Sequence, residues 1–574
     1  MRTTRILLAL GALLLAGCPE KTAPAPPSYA HGGETPPAAE TVLRLPRYSL
    51  LQGVGFVHSN GATPGKLMPE TMSGGVSLVD IDGDGKLDLL FPNGRRIDRD
   101  PSPDDPPPLV AYKNLGDGGF EDVTEKLGFA ALPKRHAMGV YAAHALSMTG
   151  PPDLFLTAFD GALFLRWRDG KYVDATAESG LAPPSWKDEN GNEHPAWSTA
   201  AAWFDADGDG RLDLLVGHYI QWTKEKDLQW TVDGKTKIYA TPEHYTGISP
   251  RLYRQTPDGR FEDATAALGF ENPKSKTLGI ALGDLAGNGR FAVAVANDTE
   301  PNNLYVWKDG KYVDEGLERG VAVDEQGAPR AGMGLDLVQE SAGSWTLAVG
   351  NFSRQSTALY RGVEKSAIDR APAAGLAQPT RSVLTFGLAF LDVDRDGRLD
   401  LLLANGHIEP TVTAKQKEIA YEQTPQLFRS RAGGKLEDVG EVCGLTRAVV
   451  GRGLALGDLD GDGFVDFVIA VNGGAPLVYR CEPPRNAGHA LRIDLRGKAP
   501  NPDALGALVT VKQGDRVQAQ SRRTAGSYLS QHEGTLTFGL GVATRADQVT
   551  VRWPSGKTEE LGPLEAKQHV IEEK

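Results

Sequence analysis

Four times the chain spells D-x-D-x-D-G-x-x-D, and each copy runs straight into a short apolar stretch. The copies are DIDGDGKLD (80 to 88), DADGDGRLD (205 to 213), DVDRDGRLD (392 to 400) and DLDGDGFVD (458 to 466). Carboxylates at alternate positions let a tight loop turn several oxygens inward, and the glycine permits the bend that closes it around a hard cation. That chemistry points to Ca2+. By analogy with the first half of an EF-hand loop, positions 1, 3 and 5 supply side-chain oxygens: Asp80, Asp82, Asp84; Asp205, Asp207, Asp209; Asp392, Asp394, Asp396; Asp458, Asp460, Asp462. Position 7 supplies a backbone carbonyl, from Lys86, Arg211, Arg398 and Phe464, and Asp88, Asp213, Asp400 and Asp466 close the shell. The stretches that follow, LLFPN, LLVGH, LLLAN and FVIAV, read as buried strands, so these are hairpin loops. Asp and Gly also build turns without a metal, and it is the fourfold recurrence that selects calcium.

A chain of 574 residues is too long for one compact core. Its 68 glycines and 38 prolines are scattered, as many short strands and turns require. Four calcium ions would bring the formal charge from −13 to −5, so much of the acidity is ligand. No basic stripe offers a nucleic-acid footprint. The first 17 residues carry Arg2, Arg5 and the apolar run ILLALGALLLAG, and are followed by Cys18. The segment resembles a bacterial lipoprotein signal with Leu15-Ala16-Gly17-Cys18 as its lipobox, which implies cleavage and attachment to a membrane through a lipid on Cys18. Residues 18 to 45 are Pro/Ala-rich and read as a tether. The expected place is the cell envelope, at the outer membrane, facing periplasm or the extracellular space.

A second phrase recurs six times: an aromatic or apolar residue, then x-D, then a short segment ending in Gly and an apolar residue. Examples are FEDVTEKLGF (120 to 129), YVDATAESGL (172 to 181) and LEDVGEVCGL (436 to 445). With the acidic loop it marks out units of four antiparallel strands, the pattern of propeller blades. Seven units are expected over 46 to 486, three of them (144 to 153, 284 to 288 and 336 to 345) with degenerate loops that bind metal weakly or not at all. The seventh unit lacks its fourth strand, which the segment from Leu45 supplies to close the ring. Residues 487 to 574 alternate apolar and polar runs and read as a small antiparallel β-domain. The fold class is therefore all-β: a seven-bladed propeller followed by that domain. Cys443 and Cys481 fall on opposite faces in this strand order, which predicts two free thiols.

The loops resemble the FG-GAP/VCBS repeats of integrin α-subunit propellers, and the order of phrases resembles the cartilage acidic protein family. VANDTEPNNLY (295 to 305), AGMGLDL (331 to 337), GNF (350 to 352) and LLLANGH (401 to 407) carry the likeness in the propeller. ALRIDLRG, NPDALGALVTV, GSYLSQ, FGLG and VRWPSGK carry the likeness to its C-terminal ASPIC/UnbV domain. The resemblance implies a secreted or surface-anchored calcium-binding propeller and no settled activity. It also implies a cysteine pair in the third-blade insertion, but Ala240 stands where one cysteine would be.

No hydrolase, zinc, nucleotide or dinucleotide motif is present. Binding or scaffolding of a protein, peptide or polysaccharide is the primary reading; an extracytoplasmic enzyme on the same face is the alternative. That face carries the long second-to-third connections at 95 to 108, 222 to 249 and 408 to 425, opposite the calcium loops. Asn93, His218, Asn297, Asn351, Asn405 and Asn472, with His407 nearby, are the candidate ligand-face residues. Asn93, Asn405 and Asn472 precede glycine, as tight turns do; the pairs His218-Tyr219, Asn297-Asp298 and Asn351-Phe352 are less well explained by turns. SYLSQ and WPSG read as core anchors and hairpin turns.

Overall fold

The computed structural model describes residues 44 to 574 except 232, 342, 364 and 365. The signal segment, Cys18 and the tether up to residue 43 lie outside the described residues.

Seven four-stranded antiparallel sheets form the body of the molecule. Their first strands are Ser77–Val79, Ala137–Ala143, Ser198–Phe204, Thr277–Gly283, Gly332–Ser341, Thr385–Leu391 and Gly451–Gly457. Each touches the next in this order, and the last touches the first, so the sheets close into a ring around an axis. Six sheets use four consecutive strands. The seventh takes Arg47–Leu50 as its outermost strand, antiparallel to Leu477–Glu482 with Tyr48 opposite Cys481. This joint between the two ends of the ring leaves no open sheet edge between them.

The recurring phrase is the hinge between neighbouring sheets. Its aspartate accepts the backbone N–H two residues on in all six copies, as in Asp122 with Thr124 and Asp438 with Gly440. Its glycine has a left-handed backbone, for example φ +87° at Gly128 and +94° at Gly444. The carbonyl just before that glycine accepts an N–H from the fourth strand of the next sheet at four junctions: Leu127 from Tyr172, Leu268 from Tyr312, Arg319 from Ala367 and Cys443 from Tyr48.

Both thiols are free and buried, but the reason is not the one the strand order suggests. Tyr48 donates its N–H to the Cys443 carbonyl at 2.7 Å and lies opposite Cys481, so both cysteines flank one tyrosine in one core. They are separated by that strand and not by the thickness of the ring.

The C-terminal residues form two small sheets. One orders Arg516–Ser521, Leu508–Gln513, Arg545–Arg552 and Thr558–Glu565; the other places His489–Arg496 between Leu536–Gly541 and Gln568–Glu572. The domain is not wholly antiparallel: Arg492 to Arg496 pair in parallel with Gln568 to Glu572, because the last strand re-enters this sheet after the chain has crossed the other. Ile493, Val511, Phe538, Val549 and Trp553 fill the space between them.

The segment from Arg523 to Glu533 leaves this domain and enters the ring. Tyr528 donates its hydroxyl to the Met72 carbonyl at 2.5 Å, and the Gln531 amide pairs with both N–H and C=O of Ala142. Ser530 accepts the N–H of Val76, Thr524 that of Trp203, and Ser527 pairs with Leu335. Inner strands have no neighbour on the axial side, and this segment satisfies their polar groups while burying Tyr528 and Leu529 among Met138, Met333 and Phe386. SYLSQ is thus the anchor of the second domain inside the first.

Candidate metal centres and the axial cavity

Each acidic loop joins the first strand of its sheet to the second, and all four are built alike. In the first, Asp80 turns inward to accept N–H groups from Gly83 at 2.7 Å, Asp84 at 3.1 Å and Gly85 at 2.8 Å. The closing Asp88 accepts the Ile81 N–H with one oxygen and the Asn114 N–H with the other, which ties the loop to the third strand. Asp213, Asp400 and Asp466 repeat this with Gln255, Ser430 and Cys481. The fourth position needs a left-handed backbone, supplied by glycine at 83, 208 and 461. In the third loop Arg395 takes it at φ +58°, with its guanidinium over the Phe464 ring and its carbonyl accepting the N–H of Gly541.

Carboxylate oxygens of positions 1, 3 and 9 converge to within 4.8 Å in every loop: Asp80, Asp82, Asp88; Asp205, Asp207, Asp213; Asp392, Asp394, Asp400; and Asp458, Asp460, Asp466. Among the described residues these are the only such acidic, histidine or cysteine groups. Position 5 stands apart. Asp84, Asp209, Asp396 and Asp462 each accept the N–H of residue 7, and the first three also pair with its side chain, Lys86, Arg211 or Arg398. In these three loops residue 7 therefore meets position 5 with both backbone and charge, and Phe464 in the fourth meets it with its backbone alone.

Burial pushes the closing carboxyls up, to about 7 for Asp88 and about 8 for Asp213 and Asp466. Their backbone hydrogen bonds oppose this, and the neighbouring loop aspartates add to it. A cluster of hard oxygens under mutual repulsion fits a divalent cation of the calcium or magnesium kind, and the set holds no soft ligand.

The degenerate loops are closed by protein. Asp153 takes the N–H groups of Leu146 and Ser147, and His144, standing where the first aspartate would be, binds Asp503 of the C-terminal domain. Asp284 pairs with Arg552, and Asp336 with Arg523 at 2.6 Å. On the acidic-loop side of the ring the C-terminal domain also sends Arg492 to Asp458 and Glu533. No local pattern of residues signals this clasp, since none of these partners is near in the chain.

On the opposite side the three insertions interlock over the axis. Lys224 Nζ reaches the Asp98 carbonyl at 2.8 Å; Glu409 accepts Lys66 Nζ and the Tyr239 N–H; the Tyr239 hydroxyl donates to Glu70. Trp222 is buried with its indole N–H on Asp227, and Trp230 packs against the same apolar cluster.

Asn93, His218, Asn297, Asn351, Asn405, His407 and Asn472 are all buried, at most 8 % exposed. Asn93 accepts the Ser59 N–H, His218 bonds the Ser249 carbonyl, Asn297 bonds Ser275 and Asn303, and Asn351 bonds the Ser356 carbonyl. Asn405 bonds Thr385 and the Thr424 carbonyl, His407 accepts the Glu409 N–H, and Asn472 donates to the Glu70 carbonyl. These side chains tie connections together. Their successors do something else: Tyr219, Asp298, Phe352 and Ile408 line a cavity of about 90 Å³ near the axis, with Met333 and Phe386. Period-two alternation turns residue i+1 the other way from residue i, which is the signal that could have found them. Tyr219 donates to Asp298 at 2.7 Å. Burial raises Asp298 to about 7, helped by Glu243 and opposed by the Tyr219 bond and Lys276.

Ring and clasp define the class: a β-propeller with acidic loops on one face, carrying a second β-domain anchored in its axis. Residues 497–574 match the family described as ASPIC and UnbV, so the chain carries an ASPIC/UnbV domain at its C-terminal end. No curated protein matches the chain significantly. Among solved structures it is similar to BBS1N in complex with ARL6DN at 12% identity, covering 73% of this chain and 94% of that one, TM-score 0.41. It is similar to the SapL1 lectin in complex with alpha methyl fucoside at 13% identity, 61% and 97% coverage, TM-score 0.31. A GH74 xyloglucanase from Xanthomonas campestris is similar at 12% identity, 90% and 81% coverage, TM-score 0.34.

Proposed function

We propose that this chain is a calcium-dependent binding or scaffolding module, tethered to the cell envelope by a lipid on Cys18, that presents a rigid propeller to a protein, peptide or polysaccharide. The observation that carries the calcium reading is the recurrence of one carboxylate triad at four loops, each with oxygens within 4.8 Å. A base stands beside position 3 of every loop: Lys113 at Asp82, Arg254 at Asp207, Arg429 at Asp394 and Arg480 at Asp460. One such charge, or two in the fourth loop where Arg492 also reaches Asp458, does not balance three carboxylates, and a divalent cation would remove the repulsion that is left.

Calcium titration of the purified chain by calorimetry tests it. Four equivalents should bind, and one should be lost in each of Asp82→Asn, Asp207→Asn, Asp394→Asn and Asp460→Asn. Heats that are absent, or unchanged in all four variants, would sink the reading. The lipid anchor is tested separately by palmitate labelling, which Cys18→Ser should abolish. The ligand is sought on protein and glycan arrays, with capture expected to fall when calcium is chelated.

A further inference from the structure

A cleft of about 450 Å³ opens between the fifth and sixth sheets and the C-terminal domain, within the size range of small-molecule sites. Four arginines line it: Arg361 from the strand Ala358–Val363, Arg398 from the third acidic loop, Arg431 from Gln426–Arg431, and Arg516 from the C-terminal strand Arg516–Ser521. Among the described lining residues Glu340 is the one carboxylate, and it accepts the Thr346 hydroxyl at 2.6 Å. The chain as a whole carries a formal charge of −13, so this concentration of guanidinium groups does not follow from a basic composition.

Three of the four are held in place. Arg398 pairs with Asp396, Arg431 with Glu437, and Arg516 donates to the Asp396 carbonyl. Arg361 differs in that its side chain makes no ion pair and no hydrogen bond among the described residues, and its Nε is buried. Its guanidinium lies against Gly434, whose left-handed backbone at φ +75° and missing side chain leave the room. A guanidinium nitrogen shielded from water and without a partner is costly unless something supplies oxygens, and the planar fork of arginine suits oxyanions in pairs.

We infer that this cleft binds an oligoanion, a small ligand carrying two or more sulfate or phosphate groups, held between the propeller and the C-terminal domain. The inference does not rest on the calcium reading: Arg398 and Arg516 lean on Asp396 of the third acidic loop, but Arg361 and Arg431, which pairs with Glu437, are held apart from it.

Calorimetry on the full chain tests it, with a trisulfated disaccharide and glucose 1,6-bisphosphate as the two oligoanions and inorganic sulfate and the unsulfated disaccharide as controls. At least one oligoanion should bind one to one, about ten-fold or more tighter than inorganic sulfate, and more weakly as salt is raised. Which of the two binds separates sulfate from phosphate esters. Arg361→Gln should lose about ten-fold or more in affinity, with Arg361→Lys between it and the parent. Because Arg361 has no bonded partner and its shielded nitrogen carries a cost, its replacement should not lower the melting temperature, so a loss of binding is not a loss of fold. Arg168→Gln, at an exposed arginine of the second sheet that pairs with Glu178, should bind as the parent does. The inference is overturned if neither oligoanion exceeds inorganic sulfate, or if Arg361→Gln binds like the parent.

Discussion

His144 and Asp503 meet twice across the boundary between ring and C-terminal domain: the His144 N–H donates to one carboxylate oxygen at 2.6 Å and its Nδ1 lies 2.7 Å from the other. Burial by itself would lower the imidazole, but the Asp503 hydrogen bond and charge hold it up at about 9, and Asp503 is lowered in return. The histidine's contribution to stability is full below about 6.5 and is lost as pH rises through about 9; the aspartate's is lost as pH falls below its ordinary 3.8. The parent chain should therefore lose stability between pH 6.5 and 9 by about 1–2 kcal/mol more than His144→Gln, a figure reduced for partial exposure. Urea melts of both across that range check it, and parallel curves would refute it.

Without calcium, the closing carboxyls set a demand of their own on pH. Asp213 and Asp466 hold their protons up to about 8 in the folded chain, so folding is weakened as pH rises from about 4 to 8 and the unfolded state ionises first. Calcium favours the ionised form and should flatten that slope. Melting temperatures in excess chelator should fall across this interval and those in millimolar calcium should not; identical pH profiles would count against metal at these loops.

Gly444 offers a test of the joints between sheets. Its φ is +94°, and a Cβ there would sit 2.7 Å from the Tyr48 carbonyl oxygen, on the strand that closes the ring. Gly310 is also left-handed, at φ +88°, but faces open space. Gly444→Ala should cost about 2–3 kcal/mol and Gly310→Ala about 1 kcal/mol, since only the first adds a clash to the backbone strain. Equal losses in chemical denaturation would mean that the joint is not tight.

The parts of this fold that could be read in advance are those written in short, repeated spacings. Acidic loops, their following strands and the phrase at each joint depend on residues within about ten of each other, so local chemistry reveals them. The strand from Arg47 was legible because the seventh unit lacked a fourth. What could not be read are contacts between distant segments: Tyr528 and Gln531 inside the ring, and Asp503, Arg552 and Arg523 standing against the degenerate loops. The ligand-face residues show a subtler gap. His218, Asn297 and Asn351 stood out by type, yet each is turned into a connection while Tyr219, Asp298 and Phe352 face the cavity.

The two cysteines give a further test. Burial pushes the Cys443 thiol up to about 11 and raises Cys481 further, with nearby aspartates adding to both. Thiolate is the reactive form, so neither should react with a thiol reagent at neutral pH in the folded chain. Unfolding in denaturant should release both, in a reaction that tracks the loss of structure; rapid labelling of the native chain would show that the outer strand from Arg47 opens.

Gln531 tests the anchor that joins the two domains. Its side-chain amide accepts the Ala142 N–H at 2.8 Å and donates to the Ala142 carbonyl at 3.1 Å, in the buried interior of the ring. Gln531→Ala leaves both backbone groups without partners, at a cost of about 1–3 kcal/mol. Gln531→Glu keeps the acceptor but places a charge at the axis and should cost at least as much, more so above neutral pH. If the anchor is what holds the C-terminal domain, limited proteolysis of either variant should cut between residues 483 and 488 faster than in the parent. Unchanged cleavage together with unchanged stability would show that the salt bridges of Arg492, Arg523 and Arg552 hold the domain without it.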